Sequence, residues 1–94
     1  MKIVKVAGGN NRHKVLLYAL STCVWCKRTK QFLKDSDVEY DYVDVDLSSD
    51  EDRDKIRRHI LSKGGSLSYP TIIIDDKILI TGYSPDEIKE ALEI

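Results

Sequence analysis

The chain has two cysteines, Cys23 and Cys26, with only Val24 and Trp25 between them. They follow the apolar run Val15-Leu16-Leu17-Tyr18-Ala19-Leu20 and open a segment, Lys27 to Lys34, that reads as a helix. Disulfide exchange needs an accessible sulfur nucleophile and a second sulfur near enough to finish the reaction. A C-x-x-C in the first turn of a helix supplies both. The helix N-terminus favours the thiolate, which is the reacting species, over the thiol. Cys23, at or just before the helix start, is the expected nucleophile, exposed and more acidic than a free cysteine. Cys26, one turn in, is expected to be more buried and to act as the resolving thiol.

Three other readings compete. Zinc would need further soft ligands, and His13 and His59 stand at no common zinc-finger spacing from the cysteines. An iron–sulfur cluster bridging two copies is the stronger metal alternative, because thiolates are its natural ligands. An inert pair is the third. Inert cysteines usually lie deep in apolar sequence, whereas here basic residues flank the pair.

Those flanks belong to a wider asymmetry. Net charge is −1, yet Lys2, Lys5, Arg12, Lys14, Lys27, Arg28, Lys30 and Lys34 all precede the first of the 16 acidic residues. Positive neighbours favour a thiolate and steer anionic partners to it, unless later acidic residues fold back onto them. Length and composition, 94 residues with 41% hydrophobic and 33% charged, fit one globular domain over 1–94. No apolar run approaches the roughly 18 residues that span a bilayer, and Met1 to Val6 lacks a signal-peptide pattern. The expectation is a cytoplasmic monomer with neither a membrane nor a nucleic-acid partner.

The elements that must position the cysteines read as follows. Residues 2 to 7 form a short edge strand, and Gly8-Gly9-Asn10-Asn11 a turn. Lys14 to Leu20 is a buried strand, and Ser21 and Thr22 cap the helix after it, whose inner face is Thr29, Phe32 and Leu33. Glu39 to Asp46 alternates apolar with acidic as a half-buried strand, parallel to the first through a right-handed crossover. Ser48-Ser49-Asp50-Glu51-Asp52 starts a second helix, with Ile56 and Ile60 inward and Gly64-Gly65 at its end. Residues 71–74 and 77–81 make a hairpin around Asp75-Asp76. Ser84-Pro85-Asp86-Glu87 reads as a capping box opening a last helix, with Ile88, Ala91 and Leu92 on its apolar face. The acidic run from Asp44 to Asp54 reads as solvated, and His13 and His59 as surface residues without a role. Trp25 is exposed, contacting a partner or packing across the helix start. Pro70 opens the strand over 71–74, where its missing N–H is tolerated.

Ser21-Thr22-Cys23-Val24-Trp25-Cys26, Tyr69-Pro70-Thr71 and Thr81-Gly82-Tyr83-Ser84-Pro85-Asp86 together resemble the glutaredoxin family. The likeness is greatest to the redoxins that reduce ribonucleotide reductase, which share a valine after the first cysteine and Thr29-Lys30 after the second. The resemblance implies the thioredoxin fold: a mixed four-stranded sheet plus the short N-terminal strand, flanked by three helices, with residues 1–13 as an extension. It implies catalysis by Cys23 and Cys26, and a substrate groove of Val24, Trp25, Tyr69, Pro70, Gly82, Tyr83, Ser84 and Asp86. It also implies a cis peptide at Tyr69-Pro70, strand-like pairing of substrate with the Tyr69 backbone, and an anionic group at the helix N-terminus of Ser84. No metal or organic cofactor is implied, since the cysteine pair stores both electrons; a cluster belongs only to the dimeric alternative. The implied partners are disulfide-containing proteins, ribonucleotide reductase among them. Members that use glutathione carry Cys-Pro-Tyr-Cys and a lysine three residues before it. Here Val24-Trp25 and Leu20 stand in those places, and the donor is thioredoxin reductase or a low-molecular-weight thiol. A potential of about −270 to −200 mV is expected.

Overall fold

A computed structural model describes residues 1–94. Five strands, β1 (Val4–Val6), β2 (Val15–Ala19), β3 (Tyr40–Asp44), β4 (Thr71–Ile74) and β5 (Ile78–Thr81), form one sheet in the order β1-β3-β2-β4-β5. Helices α1 (Val24–Asp35), α2 (Asp50–Ser62) and α3 (Pro85–Leu92) cover it. β2 and β3 are parallel, with Ala19 opposite Asp44, and every other pairing is antiparallel. The N-terminal strand takes the outer edge, with Lys5 opposite Asp41.

The period-2 alternation of the strands sorts their side chains onto two faces. Val15, Leu17 and Ala19 join Ile72, Ile74 and Ile80 beneath α1 and α3, which contribute Cys26, Leu33, Ile88 and Leu92. Tyr18, Val43 and Ile73 face the other way, onto Ile56 and Ile60 of α2. β2 and β4 are buried on both faces, which is why both read as unbroken apolar runs.

Three local expectations are corrected. The third strand stops at Asp44, and Val45–Leu47 turn in a 3-10 helix, so the apolar–acidic alternation outlasts the strand by two residues. The N-cap of α1 is Cys23 itself rather than Ser21 or Thr22. Ser84 does precede α3, with Pro85 in its first turn, but its hydroxyl makes no capping bond and the box stays open. Ser49 caps α2 as expected, its Oγ accepting from the Asp52 N–H at 3.2 Å. The Asp75-Asp76 turn is left-handed at both residues (φ 54° and 56°), as in a turn of the I′ kind, and the Lys77 N–H closes it on the Ile74 carbonyl at 3.0 Å.

Candidate functional site: a dithiol at a helix start

β2 runs toward the N-terminus of α1, and the chain between them carries the first cysteine. Cys23 has extended backbone (φ −85°, ψ 120°), the conformation of a cap. Its Sγ accepts the Cys26 N–H at 3.2 Å, one of the helix's unpaired donors. An anion at this sulfur faces both that N–H and the positive end of the helix dipole. Cys23 is half-buried, whereas Cys26 is fully buried, and both are free thiols. Burial first, then the hydrogen bond with Cys23, pushes the Cys26 thiol up to about 12. The Leu20 N–H, 3.5 Å from its Sγ, and the Lys30 charge one turn further along α1 pull the other way.

Beside the thiols lies an open concavity of about 260 Å³, lined by Trp25, Tyr69, Gly82 and Tyr83. Trp25 is exposed and stacks on Tyr83, ring centroids 5.8 Å apart and 26° from coplanar. Arg28 lies over the indole, 4.9 Å from its centroid. The Tyr69-Pro70 peptide is cis, Pro70 is buried, and its carbonyl accepts the Gly82 N–H at 2.8 Å. Gly82 has φ +83°, which a side chain disfavours, and a Cβ there would meet nothing within 4 Å. Of the groove residues named from the sequence, the structure thus brings together Trp25, Tyr69, Gly82 and Tyr83 on one wall, with Pro70 behind them. Val24 is exposed on the first turn of α1, and Ser84 and Asp86 lie beyond the concavity at the start of α3. A larger hollow of about 510 Å³ between β5 and α3 contains neither cysteine.

The basic third of the chain is only partly neutralised. Lys30 pairs with Asp44 at 3.1 Å and caps the Tyr42 ring, and Arg12 lies 3.7 Å from Glu93. Lys27 and Arg28, flanking the dithiol, are exposed and pair with no carboxylate. No group of three or more His, Cys, Asp or Glu side chains is arranged to hold a metal ion.

Sequence reasoning missed several polar contacts. Ser21 is held by Asp46, through its N–H at 2.8 Å and its hydroxyl at 2.5 Å. The parallel register was the available signal: Ala19 opposite Asp44 puts residues 21 and 46 level, two past each strand's end. The acidic run is therefore not simply solvated, since Asp44 and Asp46 both have partners inside the fold. Nor are the histidines bare surface residues. His13 Nδ1 lies 2.7 Å from Asp75, and His59 lies 2.7 Å from the Tyr18 hydroxyl and 3.1 Å from Asp76.

The glutaredoxin family model matches residues 15–79, spanning both cysteines, the cis-proline step and most of the sheet. The chain belongs to the glutaredoxin family. The glutaredoxin of Methanosarcina mazei Go1 is 39% identical with a TM-score of 0.91, over 100% of this chain and 90% of that one. Methanosarcina acetivorans methanoredoxin is 40% identical with a TM-score of 0.90, over 97% of this chain and 96% of that one. An uncharacterized glutaredoxin-like 8.6 kDa protein in a rubredoxin operon of Clostridium pasteurianum is 36% identical over 84% of this chain and 97% of its own. This glutaredoxin has the thioredoxin fold, here with five strands, and a cysteine pair suited to redox chemistry. None of its helices is long and apolar enough to cross a membrane.

Proposed function

We propose that this glutaredoxin is a cytoplasmic dithiol–disulfide oxidoreductase that reduces protein disulfides. The observation that carries the reading is the inequality of the two sulfurs. One caps a helix at the surface beside an open groove, and the other is buried one turn behind it. The Cys23 thiolate attacks a substrate disulfide, forming a mixed disulfide and expelling one substrate thiolate. Cys26, as its thiolate, then attacks the Cys23 sulfur, expelling the second. Two electrons pass to the substrate and the Cys23–Cys26 disulfide remains.

Timing follows from the surroundings of Cys26. Two of the influences holding its thiol high come from Cys23 itself, the hydrogen bond and the nearby charge. The charge is lost and the hydrogen bond weakens once Cys23 is bonded to substrate, while burial, the largest cause, persists. Cys26 is thus held less firmly as a thiol when Cys23 is engaged than when it is free. Its proton must still leave, so the resolving step speeds up as pH rises from neutral, approaching about tenfold per unit.

The Tyr69 backbone, the Gly82 turn and the Trp25–Tyr83 stack are read as the seat of the substrate's extended chain, with ribonucleotide reductase among the candidate targets. The donor is thioredoxin reductase or a low-molecular-weight thiol, and unpaired Lys27 and Arg28 suit an anionic one. Turnover of the oxidised protein with each donor, read by reduction of a protein disulfide, tests this. Reduction in multiple turnovers with either donor is expected. Failure with both would overturn the proposal.

A further inference from the structure

The nucleophile stands at the end of a short link, Leu20 to Thr22, between β2 and α1. Two backbone contacts act there: the Cys23 N–H donates to the Leu20 carbonyl at 3.2 Å, and the Leu20 N–H reaches the Cys26 sulfur. The side-chain tie of the link is Ser21, and both of its donors go to the two oxygens of one carboxylate, Asp46. Charge-assisted, two-point contacts of this kind fix orientation as well as distance.

Asp46 is itself immobilised. Its backbone carbonyl accepts from Arg53 Nη2 at 2.8 Å, and the preceding Val45 carbonyl accepts from Arg53 Nε at 3.2 Å. The Ser48 N–H closes the 3-10 turn onto Val45 at 3.1 Å. Arg53 belongs to α2, on the face of the sheet away from the thiols. A continuous polar chain therefore runs from Arg53 through the Val45–Leu47 turn and Asp46 to Ser21, two residues before Cys23. The hydrogen bonds from Ser21 hold the Asp46 carboxyl below the usual carboxylate range, which favours the ionised form that accepts both of them.

We infer that Asp46 is a positioning residue for the nucleophile, clamping Ser21 so that Cys23 is presented as the cap of α1. The inference rests on Cys23 being the attacking sulfur. It makes the 3-10 turn, which ends β3 two residues short of the apolar–acidic pattern, part of the redox site. It also explains why Ser21 does not cap the helix, since its hydroxyl is committed to Asp46.

The test measures alkylation of Cys23 by iodoacetamide in the reduced full chain, from about pH 5 to about pH 9, alongside thermal stability. Wild type is compared with Asp46→Ala, Asp46→Asn and Ser21→Ala. Asp46→Ala should slow alkylation on the order of tenfold and change its pH profile, because a sulfur displaced from the cap of α1 loses the N–H and the helix end that favour its reactive thiolate. Asp46→Asn, which keeps an acceptor for the Ser21 N–H and a polar partner for its hydroxyl, should restore most of the rate. Ser21→Ala, which retains the N–H contact, should fall between. A wild-type rate and profile in Asp46→Ala would overturn the inference. So would equal slowing in the Ala and Asn variants that tracks lost stability alone. If Asp46→Ala does not fold, a wild-type rate in Ser21→Ala overturns it. Lack of protein-disulfide turnover by the wild type would instead strike the proposed function, leaving alkylation to decide Asp46 separately.

Discussion

The two ends of the central strand are built on different principles. At the end where β2 starts, charged and aromatic side chains close the structure. The hairpin turn Asp75-Asp76 is gripped from two sides: His13 and the Lys14 N–H hold Asp75, while His59 and Lys63 hold Asp76. His59 also takes the hydroxyl of buried Tyr18, so one imidazole joins the central strand, α2 and the turn. At the end where β2 leads to Cys23, the polar contacts lie behind the site, at Ser21–Asp46 and Gly82–Pro70. In front are an exposed indole, an open glycine and a free sulfur. One end ties the sheet together, while the other leaves the first sulfur and its groove open.

Substitutions should separate the two ends cleanly. The largest effect is expected from Cys23→Ser, which should abolish disulfide reduction while leaving the thermal transition near that of wild type. Cys26→Ser should still attack, but should accumulate mixed disulfides with protein targets, visible on non-reducing gels. Multiple-turnover protein reduction by that variant would refute the dithiol route. Trp25→Ala removes the aromatic wall and should raise KM for a protein disulfide on the order of tenfold with little change in kcat, as aromatic anchors at interfaces do.

The opposite end should answer to stability assays alone. Asp75 and Asp76 are held below the ordinary carboxylate value of 3.8, chiefly by hydrogen bonds from His13 and His59 respectively. A carboxylate depressed in the folded state contributes stability above its unfolded value, and the contribution is lost as pH falls through the folded one. Urea midpoints should therefore drop below about pH 4, and Asp76→Asn should blunt the drop. The smallest effect is expected from Tyr18→Phe. It removes one hydrogen bond, about 1 kcal/mol of stability, and should leave the alkylation rate of Cys23 unchanged.

The thiol end was the more legible of the two in the sequence, because its signals are local. A C-x-x-C between an apolar run and a helix fits within a dozen residues. The Tyr69-Pro70 step and the Gly82 turn came from family likeness, and the structure brings them together beside Trp25. What stayed hidden was long-range pairing of polar groups. His13 meets Asp75 across 62 residues, Tyr18 meets His59 across 41, and Ser21 meets Asp46 across 25. Histidine and aspartate carry no periodicity that announces a partner, so each read as solvated. The capping of α1 was misplaced for a related reason. Serine is the stronger capping residue, but its hydroxyl was drawn to Asp46, and the cysteine took the cap.

The unequal roles of the two sulfurs are tested most directly by treating the reduced protein with one equivalent of iodoacetamide at neutral pH and mapping the modified peptide. The account predicts carbamidomethylation at Cys23 with Cys26 untouched. Modification of Cys26 first, or of both at equal rates, would contradict it.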